Sequence, residues 1–341
     1  MSTASVVPET WDQDGDRALV AMRQAKVRLL LRDSGARLRW ADGFSHSRAM
    51  AFQLVLTMIP GAIALVALTS ELHWTSISDA VVRLSRSMAP GPAGDVFESA
   101  LGQGSQAGTT SSGWQALALG GLAFIVAGTT SYGQIERAAN RIYGIEADRP
   151  FRRKYGLALV MMLTSGILAV GGFAVLSLGE RWADNWHRHG LDDVWQFARW
   201  PVGLGLLTLA ITLVFKISPR RRQPSIGWLA VGAGIGVLGA LVVSLGLSGY
   251  LRASHGFGDT YGPLAGIIGV MLWAYLSCIV LFFGLAFAAQ LEAFRAGAAV
   301  PRSAVKVRAS DPRSDPTDLH DTTPKGAIPP GRATGATAAT A

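Results

Sequence analysis

The sequence predicts an all-α fold: a polytopic membrane helix bundle of six transmembrane helices with amphipathic interfacial helices and both termini inside. Three observations carry this. Half of the residues are hydrophobic and only 16% are charged, well below the roughly 25% of a soluble domain, and mean hydropathy is positive at +0.30. Six largely uncharged runs, at about 49–70, 114–132, 155–179, 200–216, 226–251 and 263–291, suit a hydrocarbon core of roughly 30 Å at about 1.5 Å of rise per residue. Threading the chain through six crossings puts 25 of its 31 lysines and arginines on one side, which the positive-inside rule makes the cytoplasmic side.

In chain order, Met1 to Gly15 is polar and partly acidic, without the basic and then apolar regions of a cleaved signal peptide. Asp16 is placed to cap a helix in which Leu19, Val20, Met22, Val27, Leu30 and Leu31 are apolar and Arg17, Arg23, Lys26, Arg28 and Arg32 basic. Residues 1–40 therefore read as a cytoplasmic leader with a basic interfacial helix. Residues 41–296 form the membrane domain. In its first span Ala49, Gln53, Thr57, Pro60 and Ala64 share a small and polar face, expected to turn toward other helices. Phe52, Val55, Ile59 and Ile63 are expected to face lipid, and Pro60 to kink the helix near mid-membrane. Between Glu71 and Gly113 the chain is too polar to span, and Pro90-Gly91-Pro92 divides it into short interfacial helices.

The stretch from Gly113 to Lys154 organises the rest. Its apolar run, Trp114 to Tyr132, continues without a breaker into GQIERAANRIYGI, where Tyr132, Ile135, Ala139, Ile142 and Tyr143 recur at helical spacing. The helix thus leaves the bilayer and becomes amphipathic, ending in the basic EADRPFRRK. Glu136 and Asn140, one turn apart on the border of the apolar face, need partners there. With Gln53, Gln290 and Glu292 they are expected to form a polar cluster at the inner membrane boundary, Gln53 and Gln290 being the nearest partners by depth. Arg137, Arg141, Arg149, Arg152, Arg153 and Lys154 are candidate contacts for anionic lipid headgroups.

Lys216 completes the short fourth span by snorkelling. The fifth carries the stripe Gly232, Gly236, Ala240, and the sixth places Gly262, Gly266, Gly269, Trp273, Ser277, Gly284 and Ala288 on one face, for close helix packing. Residues 297–341 are rich in Pro, Thr, Gly and Ala without periodicity, and read as a disordered cytoplasmic tail.

Several function classes are disfavoured. A lone Cys278 inside an apolar run rules out an intrachain disulfide and a CxxC site. The net charge of +8 sits beside apolar spans, which suits headgroups better than nucleic acid. Gly234-Ile-Gly236-Val-Leu-Gly239 matches a dinucleotide fingerprint, but inside an apolar run and not at a strand-to-helix turn. His187 and His189 have no third ligand at useful spacing. No metal, cofactor or nucleic-acid partner is expected, and no catalytic residue is assigned.

Three blocks in this order, AFQLVLTMIPGAIALVAL, SYGQIERAANRIYGIEADRPFRRK and YGPLAGIIGVMLWAYLSCIVLFFGLAFAAQLEA, resemble the YihY/BrkB membrane family, long labelled ribonuclease BN. The resemblance covers about Ala41 to Ala296, with Pro60, Glu136, Asn140, Arg149, Tyr261, Gly262, Trp273, Gly284 and Glu292 at matching positions. It implies a six-span inner-membrane protein of the cell envelope, some members being proposed to move envelope lipids. The expected function is that of a lipid transporter or flippase-like protein with anionic lipids as partners. A membrane scaffold without turnover and a membrane-bound ribonuclease are the alternatives, the last disfavoured because the inner segments lack clustered carboxylates or histidines.

Reporter fusions check the topology. A fusion at Gly190 should read external and one at Gln223 cytoplasmic, and the reverse at either site overturns the six-span arrangement.

Overall fold

A computed structural model of the chain describes residues 4–10, 18, 20–22, 27–71, 113–184, 191–253 and 265–302. The expected interfacial helices of residues 72–112, the pair His187 and His189, Tyr261, Gly262 and the tail beyond Arg302 lie outside the described residues, as do Arg17, Arg23 and Lys26. Seven helices are bounded among the described residues: α1 Val27–Trp40, α2 Gly43–Glu71, α3 Gly113–Ile142, α4 Phe151–Asp184, α5 Leu191–Ile217, α6 Ile226–Ala253 and α7 Ala265–Arg295. The described residues contain no strand, and one isolated bridge joins Ala4 to Arg302.

The six long helices pack in chain order and close into a ring. Each of α2 to α6 packs on its successor, α7 returns to α2, and α7 also touches α1 and α3. Even the shortest, α5 with 27 residues, rises about 40 Å, more than a hydrocarbon core requires. Five of the seven, α2, α4, α5, α6 and α7, are long and apolar enough to cross a membrane. The helix α3 is not one of these five. Over its whole length it is the least apolar of the six because its last turns carry Gln134, Glu136, Arg137, Asn140 and Arg141.

The outside of the ring is apolar. Val160, Leu163, Ile167 and Val170 of α4 are each at least half exposed, as are Leu238, Val242 and Leu245 of α6 and Leu119, Leu122 and Val126 of α3. Recurrence at three- and four-residue spacing gives each helix one continuous outward stripe, and contiguous exposed apolar surface on this scale suits lipid.

The small and polar face of α2 turns toward α3 as expected, through Gln53, Thr57, Pro60 and Ala64, and a second, apolar face turns inward beside it. Met50 and Ala51 are buried, Leu54 packs on the core, and Val55, expected to meet lipid, packs against Val270 of α7. Phe52 does face outward at 53% exposure. This second face is set by α7, which supplies apolar side chains there. Pro60 lies inside α2, which runs on to Glu71, and Gly120 of α3 sits close beside its carbonyl.

Helices α6 and α7 meet at glycines. A Cβ at Gly284 would collide with the Gly232 carbonyl oxygen and lie 3.0 Å from the Gly236 nitrogen. Only bare backbone allows this approach. Further along the seam Trp273 Nε1 donates to Ser244 Oγ at 3.0 Å. Gly284→Ala should therefore lower the melting temperature, by an amount equivalent to about 1–3 kcal/mol of overpacking. Gly234→Ala, where a Cβ meets nothing within 4 Å, should leave it unchanged or raise it slightly. Equal effects of the two in a thermal melt of purified protein would count against the tight seam.

Candidate functional site

The buried charged side chains of this apolar bundle, Arg37, Glu136, Lys154 and Glu292, gather at its basic end, where α3 and α5 finish, α4 and α6 begin, and α7 ends. They form two adjoining charge networks.

The first joins the α3–α4 connection to the α5–α6 connection. Glu136, fully buried near the end of α3, accepts the Arg149 backbone N–H at 3.3 Å and lies 3.4 Å from Arg149 Nη1. Glu136 Oε2 has the charge of Arg149 beside it but no aligned hydrogen bond. The Arg149 guanidinium donates to the carbonyls of Ile217, Ser218 and Pro219 at 3.1, 2.6 and 2.8 Å. Two of these, Ile217 and Ser218, lie at the end of α5, where helix carbonyls lack an intrahelical donor, so one arginine caps α5 while neutralising a carboxylate of α3. Asn140, also fully buried, donates to Asp148 Oδ1 at 3.1 Å and accepts the Arg220 backbone N–H at 2.8 Å. Asp148 Oδ2 takes Arg137 Nε at 3.3 Å and Lys154 Nζ at 3.5 Å.

The second network ties both ends of the described chain to the bundle. Arg37 of α1 is fully buried on the face shared by Leu30, Ser34 and Leu38. Its Nε donates to Gln290 Oε1 at 2.8 Å, Nη1 to the carbonyls of Ser5 and Ile142, and Nη2 to Ser5 Oγ. Burial pushes its pKa down to about 10, which still leaves it charged at neutral pH. Gln290 in turn donates to the Ala299 carbonyl at 2.6 Å. Two residues further along α7, Glu292 Oε1 accepts Arg221 Nη2 at 2.6 Å, both side chains being almost completely buried. The same guanidinium donates to the carbonyls of Val7 and Pro8 and lies over the Tyr143 ring, 4.6 Å from its centre. Thr10 adds its hydroxyl to the same Glu292 oxygen at 2.6 Å, while Oε2 lies buried without a hydrogen bond among the described residues. Burial, with Glu292 beside it, pushes the Tyr143 phenol well above its usual range. Gln223 lies near enough to favour the ionised phenol, yet Tyr143 Oη and both Gln223 amide atoms lack an aligned hydrogen bond.

The five residues expected to cluster are thus divided. Glu136 and Asn140 belong to the first network and Gln290 and Glu292 to the second. Gln53 stands apart, accepting Thr130 Oγ1 at 3.2 Å in the α2–α3 seam. The partners of Glu136 and Asn140 come from connecting segments, not from Gln53 or Gln290, because Arg149 and Arg220 bring backbone donors that a spanning helix has already used. Among the candidate headgroup contacts, Arg149 and Lys154 face inward and Arg137 is held by Asp148. Arg152 and Arg153 are exposed. Gly266 lies in the first turn of α7, and Trp273 and Gly284 face α6.

The family model described as virulence factor BrkB matches residues 36–308. The chain belongs to the BrkB family. Curated relatives include YfkH of Bacillus subtilis (strain 168), named only as ribonuclease-like, 26% identical over 266 residues that cover 74% of this chain and 92% of the relative. A UPF0761 membrane protein of Stenotrophomonas maltophilia (strain R551-3) is 25% identical over 274 residues, covering 74% of this chain and 58% of its own length. A UPF0761 membrane protein of Alteromonas mediterranea is 26% identical over 181 residues, 53% of this chain and 61% of the relative. The chain thus spans about three-fifths of those two UPF0761 relatives. No solved structure matches. This is a BrkB-family membrane protein, and the matched range holds both charge networks except the leader residues Ser5 to Thr10.

Sequence reasoning missed Arg37, Tyr143 as a stacking platform, and Arg221. A signal existed for the first: Leu30, Ser34, Arg37, Leu38 and Ala41 share one helical face. Arg221 was masked by Arg220 and Arg222, since a run of three arginines reads as a topogenic signal.

Glu292→Gln should cost about 3–5 kcal/mol by leaving Arg221 buried without its anion, and replacing both partners by apolar residues should cost less. Thermal melts of the single and double variants check this. Acid tests the first network. Partial burial raises the Asp148 pKa, but the Asn140 amide, Lys154 and Arg137 outweigh it and hold the carboxyl below its usual range. Its contribution is therefore complete above the ordinary aspartate pKa and lost as pH falls through the lower folded value. In Asp148→Asn, melting temperature should lose that acid-side dependence.

Proposed function

We propose that this protein is a six-span inner-membrane protein of the cell envelope, both termini cytoplasmic, that binds anionic lipids at its basic end and moves envelope lipids across the bilayer. The observation that carries the reading is the start of α4. Phe151 is 76% exposed and is followed by the exposed Arg152 and Arg153, while Lys154 turns inward to Asp148. An aromatic ring and two exposed guanidinium groups therefore stand at the foot of a membrane-crossing helix, where headgroups and acyl chains meet. The buried Glu136–Arg149 pair fixes the turn that presents them. Together with the basic excess on one side of the six runs, this suits engagement from the cytoplasmic leaflet.

A scaffold without turnover draws support from the way the buried charges are spent on the protein's own segments. Ribonuclease chemistry rests on the name of one relative. Among the described residues no three His, Cys, Asp or Glu side chains come together, and Glu136, Asp148 and Glu292 each pair with a cation.

Replacing Arg152 and Arg153 with Gln should weaken phosphatidylglycerol binding to the purified protein roughly five- to thirtyfold at fixed ionic strength, from about 1 kcal/mol per charge less screening. Proteoliposomes of the wild type should scramble labelled phosphatidylglycerol faster than empty vesicles. Unchanged binding would remove the headgroup site, and no scrambling at full incorporation would favour the scaffold.

A further inference from the structure

Between α2, α3, α4 and α5 lies a cavity of about 320 Å³, walled off on its far side by Leu281 of α7. That volume falls in the range of small-molecule sites, but the shape is unusual. Its α3 wall consists of Phe124, Gly128, Ser131, Tyr132 and Ile135, a single helical face extending about 16 Å along the axis. The α4 wall, Met162, Ser165, Gly166 and Ala169, repeats the same spacing. The space is a narrow slot parallel to the helices, at the depth of apolar helix segments.

Four hydroxyls lie in the walls, and their protons can be accounted for. Each hydroxyl has one proton to give. Ser165 Oγ donates to the Met161 carbonyl at 2.6 Å, so the 2.6 Å contact between Tyr132 and Ser165 is donated by Tyr132. Thr57 Oγ1 donates to the Gln53 carbonyl at 2.7 Å, so the 3.0 Å contact with Ser131 is donated by Ser131. All four protons are spent on the protein. The slot has no hydroxyl donor left for a phosphate or a sugar, and the rest of its lining is carbon and methionine sulfur.

We propose that this slot holds one hydrocarbon chain of a bilayer lipid. It deepens the lipid-transport reading and rests on it for the identity of the lipid. An elongated, donor-free, apolar space at membrane depth matches a chain in length, chemistry and position, whereas a headgroup would lose its hydrogen bonds there. The wall at Gly166 is open: a Cβ built there meets nothing within 4 Å. A larger side chain at this position enters the slot without striking backbone.

The test uses full-length protein in nanodiscs of phosphatidylglycerol and phosphatidylethanolamine doped with phosphatidylglycerol that carries a diazirine at mid-chain. Photolysis followed by peptide mapping should place adducts on Phe124, Tyr132 or Met162. Gly166→Leu should reduce these at least fivefold, and Ala169→Leu should do the same, while adducts on the outward-facing Leu163 and Ile167 stay constant. Wild-type adducts confined to outward residues overturn the proposal whether or not the variants fold. Undiminished slot adducts in folded variants overturn it as well. Slot labelling by a diazirine free fatty acid, but not by the phospholipid, overturns the assignment to a bilayer lipid. Lost adducts with unchanged scrambling would keep the slot as a lipid site and remove it from transport. Scrambling by a protein without slot adducts would leave transport standing and remove the slot.

Discussion

Arg221 and Glu292, 2.6 Å apart and almost wholly buried, impose the constraint on which the basic end of this protein depends. Charges removed from water cost several kcal/mol each unless every donor and acceptor finds a partner. Offsetting that cost draws in distant parts of the chain: Thr10 to the carboxylate, Val7 and Pro8 carbonyls to the guanidinium, and the Tyr143 ring beneath it. Arg37 imposes the same demand nearby and recruits Ser5, Ile142 and Gln290. The leader is thereby laid across the ends of α3 and α7, and residues 299–301 are held beside it through Gln290 and Ser5. Such pairs add little net stability compared with apolar packing of equal volume. What they contribute is specificity, because any other arrangement of these segments strands a buried charge.

The rest of the bundle follows a different rule. In lipid there is no hydrophobic gain from bringing two apolar helices together, so contact must come from close packing and from polar groups satisfied across the seam. The α6–α7 seam uses the first device through Gly232 and Gly284, and the α2–α3 seam uses the second through Thr57, Ser131, Thr130 and Gln53. Closing six helices into a ring by such local fits leaves the slot between α2, α3, α4 and α5, where glycines and alanines leave space unfilled.

The fold was legible in the sequence because membrane helices are written as length and apolarity, and both survive in a single chain read without context. The polar residues that matter were legible in part. Glu136, Asn140, Gln290 and Glu292 stand out against apolar neighbours, and burial of all four follows from that position. Their partners were not legible, since a helical wheel gives the face of a residue and not the segment opposite. Arg149 and Arg221 lie in connecting segments, where no periodicity fixes side-chain direction. Arg37 was hidden by the basic residues of its helix, although its place on the face of Leu30 and Leu38 distinguishes it from the exposed Arg28 and Arg32. Val55 was misplaced for the same reason: the α7 residue it packs against, Val270, has no trace in the sequence of α2.

Helix α3 belongs to both the networks and the slot. Its residues Ser131, Tyr132 and Ile135 line the slot, and the next residues, Glu136, Arg137 and Asn140, enter the first charge network. Through Arg149 that network also caps α5, which supplies Ala210, Ile211 and Val214 to the opposite wall. Two walls of the slot are therefore pinned to each other at the basic end by charge-assisted bonds. Along the slot the walls include Gly128, Gly166, Ala169 and Met162, and the nearest neighbours of a Cβ at Gly128 would be the methionine side chain. Thioether side chains repack at low cost, whereas the Tyr132–Ser165 hydrogen bond ties α3 to α4 farther from the basic end. An apolar chain therefore gains room by displacing Met162 and not by breaking the charge networks or parting the helices.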